Sequence, residues 1–408
     1  MKLPLLQPLL DRFRYNRPLG WAQLSHQKTR LIVALTGVAF SNILIFTQLG
    51  LRALLFEGIT LLPEALDGDL FMMSAFAPTI DFGSFPRVYL YQADAVEGIA
   101  LASPIYLSSA NWVNPLDLEA TDEPQPGSGF NLFANRVKIV AFNPAQPVMA
   151  IPEINQQLSR LNEPDAVLYD RLSQDKLGPV ADLLDQRGEV LSVMNNRRVR
   201  VVGLFNLGST LFDNAHIVMS DWNYARRNGL ASLDNVSVAS LRLEPGADLE
   251  AVRSRLQAQL PEDLKVLTKT ELVTLEQNFQ ESFPNGKVLN FGAAMGFVVG
   301  VVIVYQVLYT DVSEHLPEYA TLKAMGYSDT ALLGVVLQEA LILAVLGFIP
   351  GYFASYGVYG LLTWLTRIPL TMKAHVVLQV FLLTLVMCIL SSAIAMNKLR
   401  SADPADVF

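Results

Sequence analysis

The sequence predicts a membrane α-helical protein with four transmembrane helices and a large α+β extracytoplasmic domain inserted between helices 1 and 2. Three observations predict it. Four stretches are apolar over roughly 20 residues, the length a helix needs to cross a hydrocarbon core about 30 Å thick. They are spaced one plus three, and the interval from Arg52 to Lys287, about 235 residues, is long enough for one or two domains. That interval has the mixed composition of a soluble unit, so the apolar excess of a chain that is 51% hydrophobic and 17% charged sits in the four stretches.

Residues 1–30 read as a cytoplasmic amphipathic lead-in, in which Lys2, Arg12, Arg14, Arg17, Lys28 and Arg30 face only Asp11. That excess places the N-terminus in the cytoplasm by the positive-inside rule, and four spans return the C-terminus there. The first span and the start of a stalk occupy 31–55. Its apolar core is too long, and its basic leader too extended, for a cleaved signal peptide, which favours an uncleaved anchor. Gly58 and Pro63 are expected to break its continuation, Ala53–Leu66.

The inserted domain is expected at 56–285. Val137–Phe142, Ala166–Tyr169, Val199–Phe205 and Val236–Leu243 read as strands. Leu249–Leu260 reads as a helix with Val252, Leu256 and Leu260 on one face, after a cap near Asp248. With the flanking strand Lys265–Thr268 it makes a β-α-β unit. Glu119–Gly129, rich in proline, glycine and acid, reads as an exposed loop. Thr270–Ser282, capped by Thr268 or Thr270, reads as a helix leading toward the second span.

The second span follows at 286–310, then a loop at 311–328, the third span at 329–356, an outer connection at 357–373, the fourth span at 374–397 and a cytoplasmic tail at 398–408. Pro350 and Gly351 are expected to kink or end the third span, whose apolar run is too long for one straight crossing. Gly347-x-x-x-Gly351 is the spacing of close helix packing. Glu339 is the one ionisable group deep in an apolar run. A proton or cargo role and a structural hydrogen bond to a neighbouring helix both remain open for it.

The loop between spans two and three is the best punctuated segment. Pro317 suits the first turn of a helix, Glu318 its positive N-terminal end, Lys323 its negative C-terminal end and Gly326 the position just past it. Ser328 or Asp329 suits the cap of the next span. The segment is acidic for a cytoplasmic loop, but the first span dominates orientation. Either a surface helix lying on headgroups or a protein-docking helix fits this punctuation.

Several motifs carry a resemblance. Glu318-Tyr-Ala-Thr-Leu-Lys-Ala-Met-Gly326, the lead-in Leu19–Arg30, Glu339-Ala340 followed by Gly347 and Gly351, and Asp403-Pro-Ala-Asp-Val407 resemble the MacB/FtsX family of ABC permeases, the mechanotransmitters. Val304–Tyr327 and Gly347-Phe-Ile-Pro-Gly351 resemble its DevC branch of cyanobacteria. The resemblance implies that the loop is a coupling helix seated on a cytoplasmic ABC ATPase of DevA type, with Glu314, His315, Pro317, Glu318, Tyr319, Leu322, Lys323, Ala324, Met325 and Gly326 as the coupling residues. It implies a homodimer through spans one and two in the plasma (inner) membrane. It also implies a DevB-type membrane fusion protein, a TolC-like outer-membrane duct, and glycolipid or another amphiphile as cargo. An FtsX-like signalling regulator of an extracytoplasmic hydrolase and a lipoprotein-release permease are the alternatives.

Catalytic chemistry of its own is not expected. The sequence has no Gly-x-x-x-x-Gly-Lys-(Ser/Thr) loop, no His-Glu-x-x-His and no Gly-x-Ser-x-Gly elbow. The 4 histidines, His26, His216, His315 and His375, are dispersed, and no cofactor or metal is expected. A net charge of −8 argues against nucleic acid as a partner. The lone cysteine, Cys388, lies in an apolar run and reads as a small buried hydrophobe.

Overall fold

A computed structural model describes residues 28–120, 135–210, 212–317, 321, 325, 329–366 and 370–400. The chain divides into two compact units, one made of Met1–Ala53 with Asn285–Phe408 and the other of Leu54–Pro284. The lead-in before Lys28, most of the Glu119–Gly129 loop and the tail motif Asp403–Val407 lie outside the described residues.

Among the described residues, four helices are long and apolar enough to cross a membrane. They belong to α1 (Lys28–Ala65), α4 (Pro284–Glu314), α5 (Asp329–Thr366) and α6 (Ala374–Arg400). Two sequence expectations fail here. Helix α1 runs unbroken past Gly58 and Pro63 to Ala65, and α5 continues through Pro350 and Gly351 to Thr366 rather than ending near residue 356. The physical reason in α5 is that a proline removes one backbone bond, whereas ending the helix in an apolar setting would strand several. The helices share an apolar core that includes Val38 of α1, Leu308 of α4, Leu343 and Ala344 of α5, and Met387 and Cys388 of α6.

The inserted unit is built on a nine-stranded mixed sheet. Its strands are β1 (Leu70–Ser74), β3 (Ile99–Val113), β4 (Arg136–Phe142), β5 (Ala166–Asp170), β6 (Val190–Met194), β7 (Arg197–Phe205), β8 (His216–Ser220), β10 (Val238–Leu243) and β11 (Leu264–Thr268). A two-stranded ribbon pairs β2 (Phe85–Pro86) with β9 (Asn235–Val236). The order across the large sheet is β11-β1-β10-β3-β4-β8-β5-β7-β6.

Strand β3 is 15 residues long and serves two neighbourhoods. Ile99–Ile105 pairs with β10, and Ile105–Asn111 pairs with β4. Trp112 and Val113 then pair with Met194 and Val193 of β6, so the ladder from β3 round to β6 closes on itself. Inside this ring the Trp112 and Tyr169 side chains lie 5.1 Å apart between ring centroids, and Trp112 Nε1 donates to Leu177 O at 3.1 Å. Burial pushes the Tyr169 phenol up from its ordinary value.

The expected β-α-β unit is present in split form. Helix α2 (Leu249–Gln259) joins β10 to β11, with β1 lying antiparallel between them. Its cap is Asp248, whose side chain accepts from Ala251 N at 2.9 Å. Val252 and Leu256 bury against one side of the sheet, in a core with Leu70 and Met72. Alternation along β1 sends Phe71 and Met73 into a second core on the other side.

Candidate functional site

The loop between α4 and α5 is described at five positions, four of which fix its local form. The His315 N–H donates to Asp311 O at 3.1 Å, continuing the turn of α4. Pro317 O then accepts from Thr321 Oγ1 at 2.8 Å, and Thr321 O accepts from Met325 N at 3.0 Å. Bonds from i to i+4 are the helical repeat, so Pro317, Thr321 and Met325 mark successive turns. Pro317 needs no donor at a helix start, which is why the sequence tolerates it there. Glu314, Pro317, Thr321 and Met325 are exposed, Met325 at 65% despite its apolar side chain, and His315 is half-buried. Glu318, Tyr319, Leu322, Lys323, Ala324 and Gly326 lie outside the described residues.

Glu339 is 0% exposed, and the buried Asp311 carboxyl of α4 lies near enough to interact with it. Val312, Val336 and Met396 form a small apolar cluster across α4, α5 and α6. The two acids lie buried on α4 and α5, in the parts of those helices nearest the loop. Asp311 as the neighbour of Glu339 was not legible in the sequence, since spacing along two separate helices does not say which faces meet.

The spans are held by glycines and a few buried polar groups. On Gly347 an added Cβ would stand 2.7 Å from Val38 Cβ, and on Gly351 2.9 Å from Asn42 Cβ. The Gly347-x-x-x-Gly351 spacing therefore packs α5 closely on α1. Asn42 Oδ1 also accepts from Thr384 Oγ1 of α6 at 2.7 Å, and the Tyr359 hydroxyl donates to Phe46 O. Helix α4 carries a second glycine ridge that sequence reasoning missed. An added Cβ on Gly292 would meet Gln48 and on Gly296 Leu44 and Ile45, all of α1, whereas on Gly300 it would meet Met387 of α6 first and then Ser41 of α1, so the four-residue spacing marks the side of α4 that packs on α1 and, at Gly300, on α6 as well. Val288, Phe291, Met295, Val298 and Val302 of α4 are exposed.

In the inserted unit, the entering and leaving ends of the inserted segment share one core. Leu62 of α1 and the following Leu66 pack with Leu272 and Leu275 of α3 (Lys269–Ser282). Lys269 Nζ donates to Leu66 O at 2.8 Å, tying the two ends directly. Helix α3 starts with a capping box. The Thr268 hydroxyl accepts from Glu271 N at 3.3 Å, and Glu271 Oε2 accepts from Thr268 N at 2.9 Å. That backbone N–H, aided by Arg253, holds the Glu271 carboxyl below its ordinary range. One residue, Phe283, separates α3 from α4. Among the described residues no group of three or more His, Cys, Asp or Glu side chains is placed to hold a metal.

Residues 290–404 match the family model for the FtsX-like permease C-terminal region. The match runs through α4, the loop, α5 and α6. No curated protein matches the chain. The extracellular domain of the noncanonic ABC-type transporter YknZ from Gram-positive bacteria is similar at 13% identity, covering 49% of this chain and 99% of that one, with a TM-score of 0.29. The periplasmic region of MacB from Actinobacillus actinomycetemcomitans is similar at 9% identity, covering 52% and 93%, with a TM-score of 0.30. At those scores the likeness is too slight to establish a shared fold.

Proposed function

We propose that this chain is the non-catalytic permease subunit of an ABC-type export system. The observation that carries the reading is the FtsX-like match over residues 290–404, which spans α4 to α6 and encloses the helical turns at Pro317, Thr321 and Met325. An exposed methionine at the tip of such a segment suits the apolar groove of a partner. The partner is a separate cytoplasmic ATPase of DevA type, contacted through Glu314–Gly326. ATP-driven closure of two ATPase subunits moves this segment, and α1 and α4 carry the motion to the inserted domain as levers. The unbroken course of α1 to Ala65 supports this, as does the core shared by Leu62, Leu66, Leu272 and Leu275.

The working unit is a homodimer in the inner membrane with both termini in the cytoplasm. Val288, Phe291, Met295, Val298 and Val302 recur at alternating steps of three and four, the spacing of a helix–helix seam, while Gly292 and Gly296 of α4 face α1. The inserted domain is extracytoplasmic and works with a DevB-type fusion protein and a TolC-like duct. The cargo is glycolipid or another amphiphile, and the reading belongs to the DevC branch.

The test is reconstitution of the chain with its ATPase in nanodiscs. Glu318→Lys and Met325→Glu are expected to lower both assembly and stimulated ATP hydrolysis at least tenfold. Unchanged assembly and hydrolysis in both variants overturns the coupling assignment.

A further inference from the structure

The loop 75–84 of the inserted unit is fastened from three sides. Ile80 N donates to Glu276 Oε1 of α3 at 2.7 Å, a bond buried from solvent. The Lys138 ammonium of β4 pairs with the Asp81 carboxylate, and Lys265 Nζ of β11 donates to Ala77 O at 2.6 Å. The loop is itself tightly folded. Thr79 bridges to Phe82, Asp81 N donates to Thr79 Oγ1 at 3.1 Å, and Gly83 takes a φ of +114° that a side chain would strain. The Phe82 ring lies 6.0 Å from that of Phe279, one turn along α3 from Glu276.

Glu276 is 5% exposed, yet it sits on a helix whose other acids reach water or a cap. Gln280, the next residue on the same face, is also buried, and its Nε2 has no hydrogen-bond partner. The charged groups facing Glu276 are Asp81 from the loop, Lys138 from β4 and Lys265 from β11. A carboxyl held by one backbone N–H between two lysines and a second acid changes its grip when it gains or loses a proton.

We propose that Glu276 is the proton-sensitive centre of a clasp that fastens α3 to the sheet through loop 75–84, and that the clasp loosens as the pH rises. Burial above all pushes the Glu276 carboxyl up to about 7, with the Ile80 N–H and the two lysines opposing and Asp81 adding to the rise. The closed clasp therefore binds a proton more tightly than a solvated carboxyl does, and linkage fixes the sign. Below the ordinary carboxyl range pH has no hold on it. Between that range and pH 7 the opening constant climbs, because the departing group ionises in water. From pH 5.5 to 8 the rise is on the order of 20-fold. Since α3 runs through Phe283 into α4, the clasp sets how firmly that connecting helix is held to its own domain. That the pH sensed is the external one rests on the function proposed above; the titration does not.

The experiment is hydrogen exchange on the full chain in nanodiscs at pH 5.5, 7 and 8, read as protection factors of the amides at 76–84 corrected for intrinsic rates. The wild type is expected to lose protection roughly 20-fold across that range. Glu276→Gln, which keeps the acceptor but cannot ionise, is expected to stay flat. Lys265→Met removes a cation that favours the ionised form, so its loss of protection is expected to be larger between pH 5.5 and 8 and to continue to higher pH before levelling. Flat protection in the wild type overturns the proposal, as does an equal pH response in Glu276→Gln or a smaller pH-dependent loss in Lys265→Met than in the wild type. None of these readings needs the ATPase, so failure here leaves the coupling assignment standing.

Discussion

Gly351 of α5 lies directly against Asn42 of α1, where an added Cβ would stand 2.9 Å from the Asn42 Cβ and 3.2 Å from the Ala39 backbone. Nothing but hydrogen fits between these helices. Gly351→Val is therefore expected to push α1 and α5 apart and to cost about 1–3 kcal/mol. Gly357 on the same helix meets no atom within 4 Å, so Gly357→Ala is expected to be tolerated. Unfolding by SDS titration in mixed micelles measures both.

The Asn42–Thr384 hydrogen bond crosses from α1 to α6 in the interior of the bundle. Thr384→Val keeps the shape and removes the donor. A loss of about 0.5–2 kcal/mol is expected in the same assay, the range for polar contacts between spans.

Thr268 closes the capping box that starts α3. Thr268→Ala is expected to cost about 0.5–2 kcal/mol of stability in the inserted unit. The first turn of α3 should show the matching loss of amide protection by hydrogen exchange.

Glu276 also makes a prediction for stability. An acid whose folded value is raised to about 7 weakens the fold as pH rises from the ordinary carboxyl value through 7. Glu276→Gln is expected to raise the melting temperature of the inserted unit at pH 8, by the equivalent of about 1–3 kcal/mol, and to change it little at pH 5. A variant less stable than wild type at pH 8 contradicts the sign.

Cys388 is the chain's sole cysteine and is buried. Met325→Cys therefore offers a thiol with a low labelling background. An impermeant maleimide is expected to reach it only in inside-out vesicles; labelling in right-side-out vesicles reverses the proposed orientation.

What the sequence disclosed was mainly local. The caps at Asp248 and Thr268 and the four apolar stretches follow from short-range chemistry, and each appears in the structure. The packing of Gly347 and Gly351 was also legible, because small residues four apart share a helix face. The less legible features depend on distant partners. Glu276 looks like a solvent-facing acid in an amphipathic pattern, and only the loop 75–84 folding over it makes it buried. The order of the sheet is equally hidden, since β1 inserts between β10 and β11 from more than 160 residues upstream. Pro350 misled because its rule holds in water, where a freed carbonyl finds a partner cheaply. Of the residues expected to couple to a partner, Pro317 and Met325 fall at helical spacing, and Glu318, Tyr319, Leu322, Lys323, Ala324 and Gly326 lie outside the described residues.

The single strand β3 has a mechanical consequence. Its first half is a rung of the open part of the sheet, and its second half is a stave of the closed ring. A pull delivered at the β1 and β11 edge therefore reaches Trp112 along the β3 backbone as well as through the core that Leu70 and Val266 share with it. The inserted unit should yield as one solid rather than flex in the middle, and any excision within Ile99–Val113 should cost both halves together.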